Sequence, residues 1–233
     1  MMPKMILFDY GGTLMDEPDF DPLQGEKAAF AYIKENPRGI TPEESAAWGT
    51  RIFQDYGAAR QAGFELTELQ NLRMQYEMLG ITFIVPYDEI EEIYWDGSGD
   101  SRVIEGVPAL LKELKARGIR TGVISNIQWS GRALRRRIDR LLPDHDFEFI
   151  LASSDYGYRK PLPALFDLAL HKAGLAPKEV WYCGNSYDFD VKGAVSAGLY
   201  PVLFRSKADG DLPHLEISEW KELIPCLERK NKS

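Results

Sequence analysis

Asp9 ends the short apolar run Met5-Ile6-Leu7-Phe8 and is followed, after Tyr10, by the pair Gly11-Gly12. A carboxylate at the tip of a buried strand, with backbone beyond it free to turn tightly, can be presented to an electrophilic phosphorus. Ser125-Asn126 closes a second run, Thr121-Gly122-Val123-Ile124. A serine there can hold a non-bridging phosphoryl oxygen through its hydroxyl and neighbouring N–H groups. Lys160, in Tyr158-Arg159-Lys160-Pro161, supplies a fixed positive charge that would keep two anions together. After a fourth run, Val180-Trp181-Tyr182-Cys183, come Asn185 and Asp190, hard oxygen donors suited to Mg²⁺, which needs only one or two carboxylates beside water. Singly, each segment is ordinary turn or cap chemistry. At strand ends, in this order, they read together as a phosphoryl-transfer site.

Those residues need elements to position them. From about Gln24 to Tyr94 the pattern is helical, with candidate helices over Glu26–Lys34, from Thr41-Pro42-Glu43-Glu44 onward, over Thr67–Met78 and over Tyr87–Ile93. No strand alternation is visible there, so this stretch predicts an all-α insert. Beyond Gly97-Ser98-Gly99-Asp100 helices and apolar runs alternate: a helix over Pro108–Arg117 closed by Gly118, the strand ending at Ser125, and a basic helix around Ala133–Leu141. A strand over Phe147–Leu151, a helix over Pro163–Ala173, the run ending at Cys183, a helix near Val191–Ala197 and the strand Pro201–Phe204 complete the series. Such alternation predicts an α/β, Rossmann-like, doubly wound parallel sheet, in which ligands bind beyond the carboxyl ends of the strands. The pattern does not give the strand order.

Composition narrows the classes. The chain has 233 residues, 44% of them apolar, enough for one large α/β domain or a core with a smaller insert. A net charge of -8 argues against general affinity for nucleic acid or an anionic membrane surface. Two cysteines, Cys183 and Cys226, suggest neither a disulfide framework nor a zinc site, and three scattered histidines give histidine-based phosphoryl transfer nothing to stand on. No run approaches a membrane span, so a cytoplasmic protein acting on a small molecule is expected, with no nucleic-acid or membrane partner, as a monomer or homodimer.

The segments together resemble a known superfamily. Phe8-Asp9-Tyr10-Gly11-Gly12-Thr13-Leu14 is similar to the first motif of the haloacid dehalogenase superfamily, Asp-x-Asp-Gly-Thr. Val123-Ile124-Ser125-Asn126 resembles its second motif, Arg159-Lys160-Pro161 its third, and Gly184-Asn185-Ser186 through Asp190-Val191-Lys192-Gly193-Ala194 its fourth. The resemblance implies a core of residues 1–16 and 97–233 and a helical cap of residues 17–96. It also implies a small phosphorylated metabolite as substrate and Mg²⁺ as cofactor. Asp9 would be the nucleophile that becomes an aspartyl-phosphate, and Lys160 the charge neutraliser. Ser125, Asn126 and Gly12 would bind the phosphoryl group or substrate. The metal ligands would be Asp9, the Gly11 carbonyl, Asn185 and Asp190.

Two positions depart from the family pattern. The second aspartate of the first motif, which protonates the leaving group, is Gly11 here, and the usual Gly-Asp of the fourth motif is Gly184-Asn185. Glycine keeps the backbone carbonyl for a metal but removes a general acid worth roughly 10²–10⁴ in rate. A water, a substrate hydroxyl, Asp16 or Glu17 are candidate replacements. The alternatives are a metal-independent 2-haloacid dehalogenase and a non-catalytic phosphometabolite-binding protein. In the insert, Phe30, Tyr32, Trp48, Phe53, Tyr56, Phe64, Tyr76, Tyr94 and Trp95 are expected to form the cap core, while Arg51, Arg60 and Arg73 could meet a substrate anion or solvent. The cluster Arg132, Arg135, Arg136, Arg137 and Arg140 is expected on an exposed, ion-paired helix face.

Overall fold

The computed structural model describes residues 2–232. Its centre is a six-stranded parallel sheet built from β1 (Met5–Phe8), β2 (Arg120–Ser125), β3 (Phe147–Ala152), β4 (Val180–Gly184), β5 (Tyr200–Phe204) and β6 (Leu215–Ile217), in the spatial order β6-β5-β4-β1-β2-β3. The chain winds outward from β1 through β2 and β3, then returns to place β4 on the other side of β1. The order reverses at β1 and β4, and a crevice opens beyond their carboxyl ends. Asp9 and Asn185 sit at that crevice.

Both sheet faces are covered, which is why the strands read as continuous apolar runs. Alternate residues of β1 point to opposite sides. Ile6 and Phe8 join one core cluster with Val107, Leu110 and Leu114, while Met5 and Leu7 join another with Leu165, Phe166 and Ala169.

The segment between the first and second motifs is helical, with α1 (Pro22–Phe30), α2 (Pro42–Asp55), a short helix at Gly57–Gln61, α3 (Glu68–Leu79) and α4 (Tyr87–Ser98). Helix α1 starts four residues before the expected Glu26, because Asp21 caps it through Leu23 N (2.9 Å) and Pro22 fills its first position. Helix α2 carries the anticipated capping box between Thr41 and Glu44. The insert is not wholly α: Ile33–Glu35 pairs antiparallel with Thr82–Phe83. A second small ribbon, Met15–Asp16 with Arg102–Val103, joins the two chain crossings between core and cap.

The helical insert packs against the sheet domain through charge and stacking. Helix α5 (Val107–Ala116) packs beneath the sheet, and α6 (Gly131–Leu141) carries the basic cluster. Arg136, Arg137 and Arg140 converge on Asp96 of α4 at 3.3, 2.9 and 2.9 Å, and Arg132 pairs with Asp88 and Glu92. The expectation of an exposed face is corrected for Arg137, which is 3% exposed and lies over the Trp95 ring at 3.9 Å. Trp95 of the cap stacks on Trp129 of the core, with ring centroids 4.8 Å apart and planes 10° from parallel. Of the expected cap aromatics, Tyr76, Tyr94 and Trp95 are buried, whereas Phe53 and Phe64 are exposed.

Buried carboxyls tie the cap interior together. Glu26 accepts hydrogen bonds from Gln75 Nε2 (2.5 Å) and the Tyr76 hydroxyl (3.0 Å), with no solvent exposure. Burial, only partly offset by those donors, pushes its carboxyl up to about 7 from 4.5. The folded chain thus keeps a proton that the unfolded chain releases, and stability falls as pH rises from 4.5 to about 7. Glu26→Gln cannot ionise. It is expected to raise Tm at about pH 8, by up to roughly 3 kcal/mol of stability, and to change little at about pH 5. Melts of both proteins at the two pH values check this; equal gains at both would refute it.

Candidate active site

Asp9 leaves β1 with its N–H donated to the Cys183 carbonyl of β4 (2.9 Å), so the nucleophile candidate is fixed to the neighbouring strand end. The chain then folds back on itself: Leu14 N and Met15 N both reach the Tyr10 carbonyl, at 2.9 and 3.0 Å. Gly12 has φ +68°, and a Cβ there would lie 2.3 Å from Asn185 Nδ2. The left-handed φ and this close approach favour glycine where the first loop meets the fourth-motif loop. A Cβ at Gly11 would meet nothing within 4 Å, so the space that an acid would occupy is open.

Lys160 is the hub. Its Nζ donates to Asp9 Oδ1 (2.8 Å), Asp190 Oδ1 (2.7 Å) and the Tyr182 hydroxyl (2.6 Å), which uses all three of its protons. The ammonium is 1% exposed and the Asp190 side chain 2%. Burial alone would lower the lysine, but Asp190 and Asp9 outweigh it and hold the group above its ordinary value. Burial pushes the Asp9 carboxyl up to about 6, with Lys160 opposing and Asp190 adding to the rise. Two buried carboxylates share one ammonium, which leaves one negative charge uncompensated.

An excess negative charge at the cavity floor suits a bound cation. The Tyr10 backbone N–H also steadies the Asp9 carboxylate, while Asp190 Oδ2 takes the Ser186 N–H at 2.9 Å. The neighbouring donors are the Asn185 amide and the Gly11 carbonyl, all around one cavity of about 400 Å³. Among the described residues no group of three His, Cys, Asp or Glu forms a closed metal cage. Two carboxylates and two neutral oxygens, open to solvent, fit Mg²⁺ and do not fit Zn²⁺.

Ser125 ends β2, 2% exposed, and lines the same cavity. Asn126 lines the same cavity and also supports the lysine. Its Nδ2 donates to the Lys160 carbonyl (2.9 Å) and its Oδ1 accepts the Lys160 N–H (2.7 Å), so the amide braces the lysine loop. Of the two acids at the cap junction, Asp16 is exposed and pairs in the ribbon, whereas Glu17 lines the cavity. Arg60 faces the core, donating to Gln128 Oε1 at 3.1 Å, while Arg73 pairs with Glu77 within its own helix.

Tyr182 was not foreseen as part of the site. Its hydroxyl bridges Lys160, Asp190 (3.2 Å) and the Ile124 carbonyl (3.0 Å), and burial, reinforced by Asp190 and Asp9, holds it far above its ordinary range. Glu65 and Glu91 were likewise unforeseen. Glu65 ion-pairs with Arg159 at the cavity wall and accepts from Ser153 Oγ (2.8 Å). Glu91 receives both the N–H and hydroxyl of Ser130, at 2.8 and 2.5 Å, and so joins the cap to the loop after β2.

The model of the haloacid dehalogenase-like hydrolase family matches residues 3–198. The chain belongs to that family. Glyceraldehyde 3-phosphate phosphatase of Methanothermobacter thermautotrophicus is 26% identical, over 96% of this chain and 100% of the relative. The fold is shared with 2-haloacid dehalogenase from Pseudomonas syringae pv. Tomato, at TM-score 0.69 and 24% identity over 98% of this chain and 100% of that one. The fold also matches a phosphatase of the same family from Thermococcus onnurineus at TM-score 0.64 and 21% identity, over 96% and 97% of the two chains. No helix among the described residues is long and apolar enough to cross a membrane.

Proposed function

We propose that this hydrolase is a Mg²⁺-dependent phosphatase acting on a small phosphorylated metabolite through an aspartyl-phosphate on Asp9. The observation that carries the reading is the buried Lys160 bridge between Asp9 and Asp190. Binding alone has little use for a carboxylate held beside an ammonium at a cavity floor; attack on phosphorus does. The full-length similarity to glyceraldehyde 3-phosphate phosphatases supports a phosphate ester as substrate.

In this reading Asp9 attacks the phosphorus, the bond to the leaving oxygen breaks, and that oxygen takes its proton from water or from its own substrate. Water then cleaves the acyl phosphate and restores Asp9. Lys160 keeps the attacking carboxylate and the phosphoryl anion together, and the Ser125 hydroxyl holds a phosphoryl oxygen. Asp9, Asp190, Asn185 and the Gly11 carbonyl would hold Mg²⁺, which when bound neutralises phosphoryl charge. The cap, taken as residues 17–96 between core segments 1–16 and 97–233, closes the cavity and excludes water.

Without an acid at Gly11, turnover should depend steeply on the leaving group. Aryl and acyl phosphates are expected to react faster than alkyl phosphates, with all turnover lost in EDTA. Gly11→Asp, for which the space is open, is expected to raise alkyl phosphate turnover by about 10² or more. A flat dependence of rate on leaving-group pKa, unchanged by Gly11→Asp, would refute the account. Chloride release from 2-chloropropionate in EDTA would instead favour dehalogenation.

A further inference from the structure

We infer that Glu17 is a specificity-determining residue that selects a small, neutral, hydroxylated leaving group over a carboxylated one. The inference rests on the phosphatase reading above and goes beyond it by naming the substrate class, a phosphorylated polyol or small sugar.

Glu17 follows the Met15–Asp16 ribbon, where the chain leaves the core for the cap. Its Oε1 is fixed by donors from separate parts of the fold: the Tyr10 hydroxyl (3.0 Å), Ser101 Oγ (2.7 Å) and Arg137 Nη1 (3.1 Å). Three donors converging on one oxygen suit an acceptor, not an acid that gives up a proton. They also hold the side chain in one orientation before any ligand arrives. No described residue donates to Oε2. The side chain is 25% exposed, and it lines the same cavity as Asp9 and Lys160. A carboxylate oxygen so placed accepts a hydroxyl proton well and repels a second carboxylate.

The cavity's cations reinforce that choice. A carboxylated substrate needs a free positive charge away from its phosphate. Lys160 is fully engaged by Asp9, Asp190 and Tyr182. Arg159, the other cation on the wall, is tied to the wholly buried Glu65, a carboxylate that Arg60 also meets at 3.5 Å. The rest of the lining carries no further cation: Ile127, Trp129 and Phe189 are apolar, and Ser125, Asn126, Asn185 and Ser186 are neutral. About 400 Å³ admits a phosphoryl group with a short carbon chain.

The test compares glycerol 3-phosphate with 3-phosphoglycerate, which share a skeleton and differ in a hydroxymethyl against a carboxylate. With Mg²⁺, wild-type kcat/KM is expected to favour glycerol 3-phosphate by roughly 10². Glu17→Gln should shrink that ratio at least about tenfold, chiefly through a lower KM for 3-phosphoglycerate, and Glu17→Asp should largely keep it. The wild-type ratio needs no variant: equal rates, or a preference for 3-phosphoglycerate, overturn the inference while any turnover of these esters or an aryl phosphate leaves the phosphatase reading standing. A ratio unmoved in folded Glu17→Gln also overturns it. No turnover of any phosphate ester overturns both.

Discussion

Asp9→Asn is expected to lose phosphate-ester turnover by about 10³ or more while the protein stays as stable as the parent, or becomes more so. The catalytic loss follows from removing the carboxylate proposed to attack phosphorus and from the non-additive failure of a site that loses its nucleophile. The stability gain follows from burial, which raises the Asp9 carboxyl from 3.8 to about 6 in the folded chain. Folding therefore becomes less favourable as pH rises through that interval, and at about pH 8 the full cost of the ionised group is present. Asparagine removes the charge and leaves Lys160 paired with Asp190 alone. Steady-state rates and melts of metal-free protein check both halves. A variant as active as the parent would sink the nucleophile assignment, and a clear fall in Tm would refute the charge argument.

Lys160→Met should act in the opposite sense on stability. Taking away the ammonium strands Asp9 and Asp190 together, each almost fully buried. Breaking a buried ion pair on one side costs about 3–5 kcal/mol, or a fall in Tm on the order of 10 °C for a chain of this size. Adding Asp190→Asn to Lys160→Met should recover part of the loss, since the two residues touch and their effects do not add. Mg²⁺ should also recover part of it by supplying the missing charge. Turnover is expected to fall by at least about 10² regardless, because the cation between nucleophile and phosphate is gone. A Lys160→Met protein that melts with the parent, and is indifferent to Mg²⁺, would show that the bridge carries neither load.

The contrast between these variants indicates which parts of the site the sequence could announce. Asp9, Ser125 and Asn185 each stand directly after an apolar run, and a polar residue at the end of a buried strand in an α/β pattern is visible as an exception. Lys160 was legible from its Arg159-Lys160-Pro161 setting. Tyr182 was not, because a tyrosine inside Val180–Cys183 reads as one more packing side chain; only the chain's return to place β4 beside β1 puts its hydroxyl on Lys160. The pairing of Glu65 with Arg159 and of Glu91 with Ser130 spans 94 and 39 positions, and no local periodicity encodes such partners. In the fold, long amphipathic helices were readable. The ribbon of Ile33–Glu35 and Thr82–Phe83 is too short to display alternation, and the true start of α1 lay in Asp21-Pro22, a cap signal outweighed by the apolar residues after Glu26.

The stacked tryptophans have a consequence for watching the molecule work. Trp95 belongs to α4 of the helical insert and Trp129 to the loop that lines the cavity of Asp9 and Lys160, and their rings lie almost parallel at 4.8 Å. Indoles that close couple electronically, and the Arg137 guanidinium over Trp95 adds a charge that biases its emission. Any movement that lifts the cap off the core must pull this pair apart. The pair thus serves as a built-in optical gauge of the spacing between α4 and the loop after β2, readable from ultraviolet emission and near-ultraviolet dichroism with no label attached.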